Sequence, residues 1–296
     1  MPSFQNFVMQ WFLRWKRFQR RNESLNIAVE RARFEAYKRF IPVEDVTVTR
    51  IGANGVPCEW IIPQEVREDR IIYFIHGGGY VMGSNEAYRG LMSKIAKVCK
   101  AKLLTVEYAL APEQPFPMAL SQITLVYEWL QRQVKDEKII TIGDSAGGGL
   151  VLSLFQKLRE ESIPLPSACV LIAPWVDMEL KQPSIERLAK QDVILSKKRL
   201  AAAAKLYAGD VPKDNSYLSP INADFTGFPP TLIQLGTHDI LLDEGKLLAK
   251  KMEAAGVDVQ LEIWEKMIHV WHIVGDRVPE AVKAINQIAT YVAAKQ

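Results

Sequence analysis

The segment Lys138–Leu150, KIITIGDSAGGGL, decides the fold. Lys138–Ile142 is nearly all apolar and predicts a buried strand, and Leu150–Glu161 continues with helical spacing. Between them stands GDSAG at 143–147, where Ser145 has a glycine two residues away on each side. Such a serine is typical of a sharp strand-to-helix turn that exposes a nucleophilic hydroxyl. An ordinary glycine-rich turn is the alternative, but the position directly after a strand favours the first interpretation.

The same strand-turn-helix rhythm extends to both sides of this segment. Strands are predicted at Val46–Arg50, Glu59–Ile62, Ile71–Ile75, Lys102–Tyr108, Lys138–Ile142, Ala168–Ala173, Thr231–Leu235 and Val257–Trp264. Helices are predicted at Leu25–Phe40, Asn85–Lys100, Met118–Val134, Leu150–Glu161, Leu241–Ala255 and Pro279–Ala294. Alternating strands and helices predict an α/β fold with a mostly parallel sheet covered on both faces. The charged stretch Trp175–Phe228, with a helix-like Ala201–Tyr207, interrupts the rhythm and is predicted to be an insertion.

A second glycine cluster, His76-Gly77-Gly78-Gly79-Tyr80, follows the strand Ile71–Ile75. Consecutive glycines let backbone N–H groups turn toward one point, where the oxygen of a tetrahedral intermediate would gather negative charge. A phosphate-binding loop is the alternative, but neither a following Lys-Ser/Thr nor a complete G-x-G-x-x-G pattern is present.

A serine nucleophile needs a base and an acid that orients it. Asp239 follows the strand Thr231–Leu235, and His269 follows the strand Val257–Trp264. The carboxyl ends of parallel strands meet at one edge of a sheet, so Ser145, Asp239 and His269 are expected to converge.

Three further histidines compete for the role of base. His76 belongs to the glycine loop, and His238 adjoins Asp239 too closely for that carboxylate to orient its ring easily. His272 stands three residues after His269, and we interpret it as structural.

The chain resembles the bacterial hormone-sensitive-lipase-like esterases of the α/β-hydrolase fold. The resemblance spans roughly Ile71 to Gly275 and rests on the following segments: HGGGY (76–80), EYALAPE (107–113), GDSAGGG (143–149), APW (173–175), DILLDEG (239–245) and MIH (267–269). It implies Ser145 as nucleophile, His269 as base and Asp239 as its acid. It also implies an oxyanion hole formed by the N–H groups of three residues, namely Gly77, Gly78 and Ala146, and neither a metal nor an organic cofactor.

The resemblance also implies one α/β-hydrolase domain over 1–296 with a helical cap built from about 1–40 and 175–228. The expected function is hydrolysis of short-to-medium acyl esters through an acyl-enzyme. Two alternatives stay open: an amide hydrolase of arylacetamide or formamide type, and a non-catalytic ligand receptor on this fold.

The composition narrows the class of protein further. The 296 residues are 48% hydrophobic and 24% charged, which is ordinary for a globular chain and excludes disorder and coiled coil. The three cysteines are widely separated, so neither a disulfide scaffold nor a structural zinc site is expected, and a cytoplasmic, reducing compartment fits.

The amino terminus differs from the remainder in charge. Its first 21 residues carry five basic and no acidic side chains, whereas the remainder has 32 basic and 34 acidic ones. The part of the chain after residue 21 is therefore not expected to bind nucleic acid.

Apolar residues recur at helical spacing near the start: Phe4, Phe7, Val8, Trp11, Phe12, Trp15 and Phe18. We interpret them as a cap helix packed over the active site; a peripheral membrane anchor is the alternative. Whether the protein forms a homodimer is left open.

Overall fold

The computed structural model describes residues 2–19, 26–36, 45–134 and 138–295. Eight strands form one sheet in the order β1-β2-β4-β3-β5-β6-β7-β8. Their bounds are β1 Val46–Ala53, β2 Val56–Pro63, β3 Arg70–Ile75, β4 Lys102–Val106, β5 Lys138–Asp144, β6 Ala168–Ile172, β7 Thr231–Gly236 and β8 Val259–Trp264. β2 pairs antiparallel with β1 and β4, and the other neighbours are parallel. The predicted α/β fold with a mostly parallel sheet is confirmed.

The helices connect or flank these strands. Their bounds are α1 Phe4–Gln19, α2 Ile27–Glu35, α3 Asn85–Cys99, α4 Met118–Gln133, α5 Ala146–Glu160, α6 Ser184–Arg187, α7 Lys197–Ala208, α8 Leu242–Ala254 and α9 Pro279–Ala294. Short 3₁₀ segments occupy Pro220–Asn222 and Trp271–Arg277. Of the predicted helix Leu25–Phe40, the part at Ile27–Glu35 is helical, and Leu25 and residues 37–40 lie outside the described residues.

Strand β3 shows why the central strands read as nearly continuous apolar runs. Ile71, Tyr73 and Ile75 face the core beneath α4, α5 and α8, whereas Ile72 and Phe74 face the core beneath α3 and α9. Each face of the sheet is therefore covered by helices, and neither side of the strand meets water.

Helix α5 begins earlier than the sequence indicates. The prediction starts it at Leu150, and the three glycines before that residue have poor helix propensity. The helix in fact begins at Ala146, directly after the serine. Tertiary packing overrides propensity here, since all of 146–156 is buried against the sheet and the insertion.

The insertion after β6 contains α6 and α7, and it packs onto the HGGGY loop. The Tyr207 ring of α7 stacks on the Tyr80 ring with centroids 4.0 Å apart. The Trp175 ring is tilted against the same Tyr80 ring, with centroids 5.5 Å apart. Helix α2 reaches the same region, because the Arg31 guanidinium donates to the carbonyl oxygens of Val81 and Ala111. Both segments thus border the loop that follows β3.

Helix α1 forms where the apolar spacing predicts a helix, but its apolar stripe does not pack against the protein. Phe4, Phe7 and Trp11 are 76%, 67% and 62% exposed, whereas the polar Asn6 and Gln10 are 2% and 6% exposed. The interpretation of the stripe as the packed face of a cap helix is therefore wrong. The physical reason is that the opposite face contacts the protein: Asn6 and Gln10 donate to the Lys266 carbonyl in the loop before His269. Met9 and Leu13 on that face pack against the apolar cluster around Trp271.

Candidate active site

The β5–α5 turn holds Ser145 in a strained backbone conformation. Its φ of 52° and ψ of −122° lie where few side chains are tolerated. The turn is fixed because the Ser145 N–H donates to the Ile172 carbonyl at 2.9 Å and its carbonyl accepts from the Trp175 N–H at 2.9 Å. A side chain at Gly147 would overlap the Ile75 carbonyl oxygen, so only glycine lets α5 approach β3 this closely. The turn thus pushes the Ser145 hydroxyl out at the carboxyl edge of the sheet.

The structure brings His269 and Asp239 to this hydroxyl. The Ser145 Oγ–H donates to His269 Nε2 at 2.8 Å, and the His269 Nδ1–H donates to Asp239 Oδ2 at 2.7 Å. The other carboxylate oxygen of Asp239 accepts from the Leu241 N–H at 2.9 Å. The three residues follow β5, β8 and β7, whose carboxyl ends share one edge. The Asp239 carboxylate therefore fixes the imidazole tautomer that leaves Nε2 free to accept a proton.

The surroundings of His269 act on its basicity in opposite directions. Burial disfavours its charged form, but the Asp239 carboxylate, the hydrogen bond to it, and the negative charges of Asp192 and Asp144 outweigh burial. The net effect raises the pKa of His269 above its ordinary value. This imidazole is therefore a stronger base than an isolated histidine.

One predicted oxyanion donor needs a correction. The Gly77 N–H donates to Asp144 Oδ1 at 2.9 Å, so it is not free to bind an oxyanion. Within the described residues, the N–H groups of Gly78, Gly79 and Ala146 have no protein acceptor. Gly78 has φ of 118° and its absent side chain would meet the Met82 carbonyl, which makes glycine necessary there. Two of the predicted donors, the N–H groups of Gly78 and Ala146, are thus unoccupied by protein acceptors among the described residues, as is the N–H of Gly79.

Asp144 is a site residue whose importance the sequence analysis missed. Its buried carboxylate accepts from the Gly77 N–H and, at 2.7 Å, from the Tyr88 hydroxyl. Burial raises its pKa to about 6, and these two hydrogen bonds act in the opposite direction. Asp144 therefore ties the glycine loop to the turn that carries Ser145. A signal was present, because a carboxylate directly before the serine, at the end of a buried strand, requires partners.

Asp192 of the insertion was also missed. One of its carboxylate oxygens accepts from the N–H groups of Ile194 and Leu195, and the other accepts from the Ile240 N–H at 3.0 Å. Burial, and then the neighbouring charge of Asp239, raise the pKa of Asp192 to about 6. Asp192 thus joins the insertion to the loop that carries Asp239. No local pattern marks it, since its partners lie far away in the chain.

The other histidines are engaged elsewhere. The His272 Nε2–H donates to Gln234 Oε1 at 2.8 Å, and burial lowers the pKa of His272 to about 3. His238 contacts Gln10 of α1 at 2.9 Å, and the Nδ1–H of His76 donates to the Gly77 carbonyl at 2.8 Å. None of them contacts Ser145.

Among the described ranges, no group of three or more His, Cys, Asp or Glu side chains is arranged to hold a metal ion. Nor is any helix within those ranges both long and apolar enough to cross a bilayer.

Comparison with known proteins identifies the family of the chain. Residues 72–273, more than half of the chain, match the family described as alpha/beta hydrolase fold. An acetyl-hydrolase of Streptomyces hygroscopicus is 32% identical over 95% of this chain and 92% of its own. An esterase of Acinetobacter venetianus is 35% identical over 83% of this chain and 82% of its own.

A solved structure is similar to this chain over its whole length. The crystal structure of an esterase from the bacterial hormone-sensitive lipase (HSL) family is 35% identical, with a TM-score of 0.94, and covers 100% of this chain and 99% of its own. The chain therefore belongs to the α/β-hydrolase family and, within it, to the bacterial hormone-sensitive-lipase-like esterases. It is an enzyme of the serine carboxylesterase class.

Proposed function

We propose that this protein hydrolyses carboxylic esters through an acyl-enzyme on Ser145. The Ser145 oxygen attacks the ester carbonyl while its proton passes to His269 Nε2, and a tetrahedral intermediate forms. His269 then gives that proton to the departing alcohol oxygen as the carbon–oxygen bond breaks. In the second half, His269 takes a proton from water, whose oxygen attacks the acyl carbon. The bond between that carbon and Ser145 Oγ then breaks as His269 returns the proton to Oγ, and the carboxylic acid leaves. Asp239 stabilises the imidazolium in both halves.

We infer that the negative oxygen of the intermediate is bound by the N–H groups of Gly78, Gly79 and Ala146. These donors have no acceptor among the described residues, unlike the Gly77 N–H. Ala146 is also the first residue of α5, so the positive end of that helix supports a developing oxyanion. Donors held ready in this way need little rearrangement when the charge appears.

We propose short-to-medium acyl esters as the substrate class. The name of the Streptomyces relative, an acetyl-hydrolase, favours a small acyl group. The insertion supports the same conclusion, because Trp175 and Tyr207 fill the space beside Tyr80 with buried aromatic rings. We further propose that residues 175–228, together with α2, form the cap over this edge of the sheet. A series of p-nitrophenyl esters from acetyl to palmitoyl tests the proposal, which predicts that kcat/KM falls steeply beyond medium chain length.

The hydrogen-bonded chain from Ser145 through His269 to Asp239 carries this proposal, and Ser145→Ala tests it. The variant should fold as the wild type does, because alanine keeps the Ser145 backbone contacts. It should lose several powers of ten in kcat, leaving only what the oxyanion donors and binding supply. More than about a tenth of wild-type activity in this variant would overturn the mechanism.

A second experiment distinguishes an esterase from an amide hydrolase. It compares the rates of hydrolysis of an ester and an anilide that carry the same acyl group.

A further inference from the structure

Helix α1 presents an unusual surface: a row of large apolar side chains that point away from the protein. Its members, which we call the α1 stripe, are Phe4, Phe7, Val8, Trp11, Phe12 and Trp15, and all are exposed. The chain has 11 Phe and 7 Trp in total, and five of these 18 lie in the α1 stripe. Single exposed apolar residues are common on protein surfaces, but a continuous aromatic row usually marks an interaction site.

The opposite face of α1 is bound to the protein, through polar side chains and through Met9 and Leu13, which pack against the apolar cluster around Trp271. Asn6 and Gln10 both donate through their side-chain amides to the Lys266 carbonyl, and Gln10 also contacts His238. At the start of the helix, the Ser3 hydroxyl donates to Glu280 of α9 at 2.8 Å. These partly buried hydrogen bonds would be lost if the helix turned over. The orientation of the α1 stripe toward solvent is therefore fixed by these polar contacts together with the packing of Met9 and Leu13.

Basic side chains border the α1 stripe on both sides. On a helix of about 3.6 residues per turn, Arg14 lies beside Phe7 and Trp11, and Lys16 lies beside Phe12 at the other border. The Lys16 ammonium stands 4.5 Å from the centre of the Phe12 ring. The first 21 residues hold no acidic side chain at all. An aromatic face bordered by cations is suited to the boundary of a lipid bilayer, where rings enter the acyl region and cations meet anionic headgroups.

We propose that α1 docks this protein in the plane of an anionic lipid surface through the α1 stripe. From Phe4 to Trp15 the helix rises about 17 Å, which suits a helix lying along the surface rather than one crossing it. A second copy of the chain fits less well, because a two-fold contact through the same face would gather Arg14 and Lys16 of both copies at a helix pair that has no acidic side chain to neutralise them. Anionic headgroups instead supply the opposite charge.

The docking is independent of the proposed reaction, and the test keeps the two apart. Wild-type protein is mixed with vesicles of ether-linked phosphatidylcholine, alone or with about one-third ether-linked phosphatidylglycerol. Ether lipids contain no ester, so hydrolysis cannot alter the surface. Partition is measured by co-sedimentation, and oligomeric state without vesicles by analytical ultracentrifugation. We expect strong partition to the anionic vesicles and at least about tenfold weaker partition to the neutral ones.

Three variants assign the binding to the α1 stripe. Phe7→Ser/Trp11→Ser/Trp15→Ser removes its centre and should lower partition at least about tenfold. Met118→Ser/Leu125→Ser removes two exposed apolar residues from α4 and is the matched control, which should bind as wild type does. Arg14→Gln/Lys16→Gln keeps the rings and should weaken binding to anionic vesicles only. Hydrolysis of p-nitrophenyl acetate should remain within about twofold of wild type in all three.

Two results would overturn the proposal. One is equal partition of the wild type and the stripe variant. The other is a dimer in buffer that the stripe variant abolishes, with no vesicle binding, which would assign the surface to a second copy. Should the stripe variant fail to fold, the Arg14/Lys16 variant still decides, because unchanged partition to anionic vesicles contradicts the proposal.

Discussion

At the scale of single residues, His269 and His272 differ in what surrounds them although they are close in the chain. The His269 ring lies between Ser145 and Asp239, whereas the His272 ring is buried beside Trp271 and bonded to Gln234. One ring can exchange a proton with a hydroxyl, and the other is held as a neutral packing element. Proximity in sequence therefore does not imply a shared role.

This difference predicts the effects of two alanine substitutions. His269→Ala should remove the general base and lower kcat by several powers of ten with little change in Tm. At temperatures below its Tm, the His272→Ala variant should keep kcat within about tenfold of wild type. Its Tm should fall, because the substitution opens a cavity and leaves the buried Gln234 Oε1 without its donor. Steady-state kinetics and thermal melts of both variants check the prediction, and the reverse ranking of kcat would contradict it.

At the scale of structural elements, the insertion contributes to the electrostatics of the candidate site through Asp192. Removing its charge should lower the pKa of His269, because a nearby carboxylate stabilises the imidazolium. In Asp192→Asn the fall of kcat/KM toward acid should therefore occur at lower pH than in wild type. A pH profile of kcat/KM from about pH 5 to 8 measures this shift. The exposed Asp224 supplies a control, since Asp224→Asn should leave the profile in place.

The contact between α5 and β3 gives a second prediction at this scale. Gly147→Ala would place a methyl group against the Ile75 and His76 carbonyls, which belong to the backbone and cannot move aside cheaply. We expect it to cost at least about 1–3 kcal/mol of the free energy of unfolding and most of the activity. Gly52→Ala on β1 meets no atom within 4 Å and should change neither. Chemical denaturation of both variants decides, and equal stabilities would contradict the close approach.

At the scale of the whole molecule, Glu244 makes stability depend on pH. Its carboxyl group is buried, Oε1 accepts from the Val176 N–H at 2.7 Å, and Oε2 has no partner among the described residues. Burial, with added repulsion from Asp177 and Asp239, raises its pKa well above the ordinary value, against the effect of the Val176 hydrogen bond. The folded state therefore holds a proton that the unfolded chain releases above about pH 4 to 5.

The sign of the effect follows from linkage. A pKa raised in the folded state contributes stability that is complete below the unfolded pKa and is lost as pH rises toward the folded one. Glu244→Gln removes this titration, so its Tm relative to wild type should increase by a few degrees per pH unit from about pH 5 to 8. Melts across this range measure the difference, with Glu265→Gln, on the surface, as control. A difference that does not change with pH would show that Glu244 is ionised in the fold.

Local sequence was sufficient for the eight strands, for the helices between them outside the insertion, and for the candidate residues Ser145, Asp239 and His269. Apolar periodicity reports which residues share a face, and the carboxyl ends of parallel strands meet at one edge regardless of the details of packing. These properties depend on neighbours in the chain, so they can be read before any folding is known.

Tertiary structure alone decided three other features. Asp144 takes the Gly77 N–H, Asp192 reaches Ile240 from the insertion, and the apolar face of α1 points outward. Each depends on which donor meets which acceptor between segments distant in sequence. Periodicity shows that one side of α1 is apolar. It cannot show that Asn6 and Gln10 bind the Lys266 carbonyl, and so turn the other side of the helix toward the protein. The direction in which a face points is a property of its partners, and those are brought together only by the fold.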